Sequence, residues 1–216
     1  MKRLATRAAI DDHATQLVLE HGFDSVTVED ICTAAGISRR TFFNYVDSKE
    51  TAVIGEHPRP LTTEEIEEFT AERHPDLNLA VMRCAFRMSN LFSPCADGRT
   101  PPGTISTGEL LRRRRRICRA EPQLSLQRTA RYPDIHASLI GAVTSYLDAW
   151  PDERRLSPSS PREEAVTVVA VATTAVRLGF HLWMEGNEPT ADALRSSCVR
   201  ALNNITLLLT KGDEKA

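Results

Sequence analysis

Residues 27 to 50 read TVEDICTAAGISRRTFFNYVDSKE, and the fold turns on them. Thr27 can cap a helix that opens Val28-Glu29-Asp30. Asp30, three residues on, supplies the return half of a capping box, and both acids suit the positive helix end. Val28, Ile31, Cys32 and Ala35 recur at helical spacing, and Gly36 fits the left-handed conformation that closes a helix. Ser38 then caps a second helix, Arg39 to Val46. Asp47 and Glu50 open another near Ser48. A short helix, a glycine-containing turn and a second short helix make helix-turn-helix geometry. In it the first helix crosses a DNA backbone and the second faces the major groove.

The residue types fit that geometry. Ile37, Phe42 and Val46 can lock the second helix inward, which leaves Arg39, Arg40, Phe43 and Asn44 outward. Arginine can grip guanine O6 and N7 with two donors, asparagine can pair with adenine, and an aromatic ring can touch a thymine methyl. Thr27, Thr41, Tyr45 and Lys49 stand where hydroxyls, a helix start and an ammonium can hold phosphates without reading sequence. Against this, residues 1–57 carry six Lys/Arg and nine Asp/Glu, a net charge of −3. The acids are expected to point away from DNA or to sit at helix N-termini.

Working outward, residues 4 to 21 place Leu4, Ala8, Ile10, Ala14, Leu17 and Val18 at a helical period, closed by Gly22. On the other side, His57-Pro58-Arg59-Pro60 stops any helix. The expected domains are therefore 1–57, a helix-turn-helix domain, and 58–216, a larger helical domain. Helices are expected near 62–73, 76–92, 105–119, 122–150, 162–185 and 190–210, punctuated by Ser93-Pro94, Asp97-Gly98, Pro101-Pro102-Gly103, Pro151, 157–161 and 186–189. The tail 211–216 is expected to fray. No alternating apolar run reads as a strand, so the fold class is all-α.

The stretch HGFDSVTVEDICTAAGISRRTFFNYVDSKE resembles the DNA-binding domain of TetR-family transcriptional regulators. The resemblance covers about a quarter of the chain. It implies an all-helical homodimer, usually a repressor, with a three-helix reader and a larger ligand-binding domain. By position it carries phosphate contacts onto Thr27, Thr41, Tyr45 and Lys49, and base reading onto Arg39, Arg40, Phe43 and Asn44. It further implies a dimer interface through helices 162–185 and 190–210, and a palindromic duplex operator as partner. Glu29 stands where the family sometimes has a basic residue. The later pattern E-L-L-R-R-R-R-R-I, then E-P-Q-L, then an apolar helix ending W-M-E, resembles the C-terminal domain of regulators related to the mycofactocin regulator. That resemblance implies a small amphipathic or anionic effector, acyl-coenzyme A-like.

Bulk properties neither force nor forbid this. The net charge of −2 gives no whole-chain argument for nucleic acid, so any DNA-binding surface must be local. Five cysteines at wide spacings, with no C-x-x-C pair, argue against a disulfide framework or zinc knuckle and for a reducing cytoplasm. No two histidines stand at i, i+4, so no metal is expected. Paired carboxylates, a Ser/His or Cys/His constellation and a phosphate-cradling glycine loop are all missing from the sequence, so neither an enzyme nor a cofactor is expected. Residues 165 to 184 are long enough to span a membrane. Arg177, His181 and three threonines dilute that segment, and a buried bundle helix is the expectation.

LLRRRRRIC, residues 110 to 118, is the most basic stretch. At about 100° per residue, five successive arginines circle a helix. Leu110, Leu111, Ile117 and Cys118 define an apolar stripe, and Arg114 falls at its centre. Arg112 and Arg116 fall opposite, on the solvated side. A buried arginine must find an anion, internal or bound. Arg114 and Arg177, with Phe180 and Trp183, are the expected effector-pocket residues. A constitutive DNA-binding protein with no pocket, and a small-molecule enzyme or carrier on the same fold, stand as the other readings.

Overall fold

A computed structural model describes residues 2–88, 105–188 and 190–210. The chain forms α1 (Lys2–His21), α2 (Val28–Ala35), α3 (Arg39–Phe43), α4 (Lys49–Ile54), α5 (Thr63–Ala71), α6 (Leu77–Met88), α7 (Thr107–Ala120), α8 (Pro122–Thr129), α9 (Tyr132–Ala149), α10 (Pro161–Glu185) and α11 (Ala191–Thr210), with a 3-10 turn at Pro151–Glu153. Among the described residues there is no strand. The end of the helix expected at 76–92, the punctuation between 93 and 103, and the tail 211–216 lie outside the described residues.

Local chemistry explains most boundaries. Thr62 and Ser160 cap α5 and α10 with full capping boxes through Glu65 and Glu163. The single helix expected over 122–150 is two helices. Pro133 has no N–H to offer the Thr129 carbonyl, so the ladder breaks at Ala130-Arg131 and restarts at Tyr132.

Two compact units result. The first holds α1–α4 with α7 and α8, and the second holds α5, α6 and α9–α11. α7 and α8 lie within the expected 58–216 domain, yet they group with the N-terminal helices. Ile117 and Leu124 join the core built from Ile10, Ala14, Val18, Phe23, Ile31, Phe42, Val46 and Val53. This sharing of one apolar core outweighs the prolines at 58 and 60 as a guide to which helices belong together.

In the second unit, α9 packs on α5, α6 and α10, and α10 also packs on α6. Ala165, Val169, Ala172, Ala175, Gly179 and Trp183 form the buried side of α10. Small residues let its neighbours approach closely. A Cβ on Gly179 would stand 2.3 Å from Cys198 Cα, so only glycine admits the α11 backbone there. Burial pushes the Cys198 thiol up to about 12. Among the described residues, α10 alone is long and apolar enough to cross a membrane by length and composition. Much of α10 stays uncovered in the single chain, unlike a fully buried bundle helix. Val166 and Leu182 on α10, and Val199, Leu207 and Leu208 on α11, are exposed.

Candidate nucleic-acid interface

The helix-turn-helix is assembled by caps and one ring. Thr27 Oγ1 accepts the Asp30 amide at 3.2 Å. It also donates to the Asp30 carboxylate at 2.6 Å, and that carboxylate takes the Thr27 amide at 2.9 Å. These bonds hold the Asp30 carboxyl below its usual range. Gly36 adopts φ +64 and ends α2. Ser38 caps α3 by accepting the Thr41 amide at 3.0 Å, and the two hydroxyls share a bond of 2.8 Å. Phe42 is fully buried in the core and fixes the face that α3 presents.

That outward face carries Arg39, Arg40, Phe43 and Asn44, all exposed. Phe43 is 44% exposed and meets Phe42 edge-on, ring centroids 5.2 Å apart. The Arg39 guanidinium lies 5.5 Å over the Phe43 ring and pairs with Glu29. Asn44 caps α3, its amide donating to Arg40 O at 3.2 Å and Thr41 O at 3.1 Å. The helix therefore stops at Phe43, earlier than the expected Val46. Val46 still enters the core.

The four expected phosphate contacts differ in what they already hold. Thr27 and Thr41 are engaged in capping. Tyr45 packs its ring partly against the core. Lys49 donates to Phe23 O and Val26 O, each at 2.8 Å, and its Nζ sits 3.9 Å over the Phe23 ring. Two of its three donors thus tie the α1–α2 connection to the start of α4.

Behind this face lies a buried charge network whose partners are far apart in sequence. Arg114 is 4% exposed, with Asp11 at 2%. Arg114 Nη2 lies 3.1 Å from Asp11 Oδ1, and its Nε donates to Val53 O at 3.3 Å. The same Asp11 oxygen accepts Arg7 Nε at 3.2 Å. Arg7 Nη1 then reaches Tyr45 O at 2.9 Å and Glu56 at 3.0 Å. Gly55, at φ +85, leaves room for the Arg114 guanidinium, which a Cβ would meet at 2.9 Å. α7, α1, α4 and the end of the recognition segment are thus joined through one carboxylate. The signal was present: Asp11 shares a helical stripe with Arg7, Ala14 and Val18.

The arginine run divides as geometry requires. Arg114 is buried, Arg116 exposed, and Arg113 pairs with Asp12 at 2.8 Å. Arg112 is half-buried, deeper than expected. Arg114's charge is met by an internal carboxylate. Arg177, in the second unit, stands exposed on α10, because the buried stripe runs through Ala172, Ala175 and Gly179. Of the expected pocket residues, Phe180 and Trp183 do meet, ring centroids 5.6 Å apart. Among the described residues no group of three or more His, Cys, Asp or Glu side chains is placed to hold a metal ion.

Replacing Asp11 with alanine takes from buried Arg114 the carboxylate it pairs with and leaves Arg7 with Glu56. We expect a loss of about 3–5 kcal/mol in urea unfolding. A loss below about 1 kcal/mol, the level of a surface pair, would contradict the role assigned to Asp11.

Residues 10–51 match the family model described as bacterial regulatory proteins, tetR family. A Mycobacterium tuberculosis protein named as a mycofactocin biosynthesis transcriptional regulator, MftR, is 46% identical over 55 residues, 26% of this chain and 28% of that one. The match thus spans about a quarter of either protein. Among solved structures, Salmonella enterica GusR overlays with a TM-score of 0.43 at 18% identity, covering 95% of each chain. Reduced Escherichia coli NemR overlays at 0.39 and 16% identity, covering 92% of this chain and 96% of that one. The likeness to bacterial regulatory proteins of the tetR family thus rests on the helix-turn-helix segment, residues 10–51.

Proposed function

We propose that this chain is a sequence-specific, DNA-binding transcriptional repressor acting as a homodimer in the cytoplasm. The observation that carries the reading is the capped, core-anchored α3, which presents Arg40, Phe43 and Asn44 outward within the segment that matches the family. Arg39, Arg40, Phe43 and Asn44 are the base readers. Thr27, Thr41, Tyr45 and Lys49 hold the backbone, Lys49 with the donor its two carbonyl bonds leave over. The family is one of regulators, and its fold serves here as a reader of duplex DNA rather than as an enzyme.

Dimerisation through α10 and α11 is supported by the apolar side chains those helices leave exposed, among them Val166, Val199 and Leu207. A twofold dimer sets two recognition helices about 34–36 Å apart and reads a palindrome. Selection from random duplexes tests both parts together. The wild type should enrich a palindromic site with half-sites about one helical turn apart. Arg40→Ala and Asn44→Ala should abolish enrichment and still elute as dimers, while Arg116→Ala should keep it. The reading fails if no sequence is enriched, or if Arg116→Ala is as damaging as Arg40→Ala.

Release by a small amphipathic or anionic ligand, acyl-coenzyme A-like, rests on the C-terminal resemblance, and Phe180 with Trp183 are its remaining apolar candidates. The pairing of Arg114 with Asp11 favours the constitutive reading instead. Palmitoyl-coenzyme A is the probe: release of bound duplex at micromolar concentration supports an effector, and unchanged binding supports a constitutive regulator.

A further inference from the structure

The exposed cluster of Glu29, Arg39 and Phe43 is joined in a way that base reading alone does not require. Each end is anchored. Glu29 rides on α2, whose start is locked by the Thr27–Asp30 box, and its carbonyl accepts Thr33 Oγ1 at 2.8 Å. Phe43 is set by its edge-on contact with the fully buried Phe42. Arg39 lies between them, its guanidinium over the Phe43 ring and one nitrogen on the Glu29 carboxylate.

We propose that Glu29 is a specificity-determining positioning residue, holding Arg39 against Phe43 so that its remaining donors are aimed at one base pair. The inference rests on the DNA-reading function proposed above. An exposed arginine samples many rotamers, and fixing it before binding lowers the ordering cost of a two-donor contact with guanine. Arg39 has five N–H donors, and its bond to Glu29 uses one of them. The carboxylate also repels phosphate, so Glu29 trades affinity for every duplex against selectivity for one. That accounts for an acid on the edge of α2 where a basic residue would bind DNA more tightly.

The experiment is selection and competition binding with Glu29→Ala, Glu29→Gln, Arg39→Ala and the Glu29→Ala/Arg39→Ala double variant. Glu29 is exposed, so folding is not at stake. Arg39→Ala identifies the base pair that Arg39 reads. Glu29→Ala should lower discrimination at that pair about tenfold, with equal or tighter binding to unrelated duplex. Glu29→Gln keeps an acceptor oxygen and should retain most of the discrimination. The double variant should match Arg39→Ala. An unchanged selection profile in Glu29→Ala, or fully additive losses, overturns the inference and leaves the DNA-reading function standing. A wild type that enriches no sequence overturns both.

Discussion

The carboxylate of Asp11 is the interaction on which the first unit depends. Two guanidinium groups, from Arg7 on α1 and Arg114 on α7, converge on one of its oxygens inside the protein. A buried charge is tolerated only when its partners are close and the remaining donors are satisfied. Here Val53 O takes Arg114 Nε, and Tyr45 O and Glu56 take Arg7 Nη1. The consequence is geometric. The register of α7 against α1 and α4 is fixed, and so is the backbone just after the recognition helix. Apolar packing through Ile10, Phe42 and Ile117 supplies the driving force. The ion network selects one arrangement of that packing.

This network also resolves the adverse charge of residues 1–57. Many of the acids there are held by internal partners. Asp11 meets Arg7 and Arg114, Asp12 meets Arg113, Glu56 meets Arg7, Glu29 meets Arg39, and Asp30 closes the α2 cap. Two members of the arginine run on α7 thus act as counter-charges for α1. The most basic stretch of the chain serves assembly, and the candidate DNA-facing surface needs only two arginines on a short, well-capped helix.

The elements legible in the sequence were those specified locally. Capping residues, the left-handed glycine at 36 and apolar spacing located α1 to α4 within a few residues, and helical angles alone sent Arg114 inward. What was not legible depended on partners distant in the chain. The carbonyls that receive Lys49 belong to residues 23 and 26, and the carboxylate that receives Arg114 lies 103 positions earlier, at Asp11. Arg177 was misplaced for a different reason. α10 is apolar nearly all round, so its period does not name the buried side; close approach by α11 does, and it chose the stripe of small residues around Gly179. The break before Tyr132 is written in Pro133, but the flanking residues favour helix on both sides and hide it.

Amide hydrogen exchange, with and without a selected duplex, tests the central claim most directly. The account predicts new protection at residues 27–31 and 38–46, with exchange in 112–119 unchanged by DNA. Protection concentrated on 112–119, with residues 38–46 exchanging as in the free protein, would contradict it.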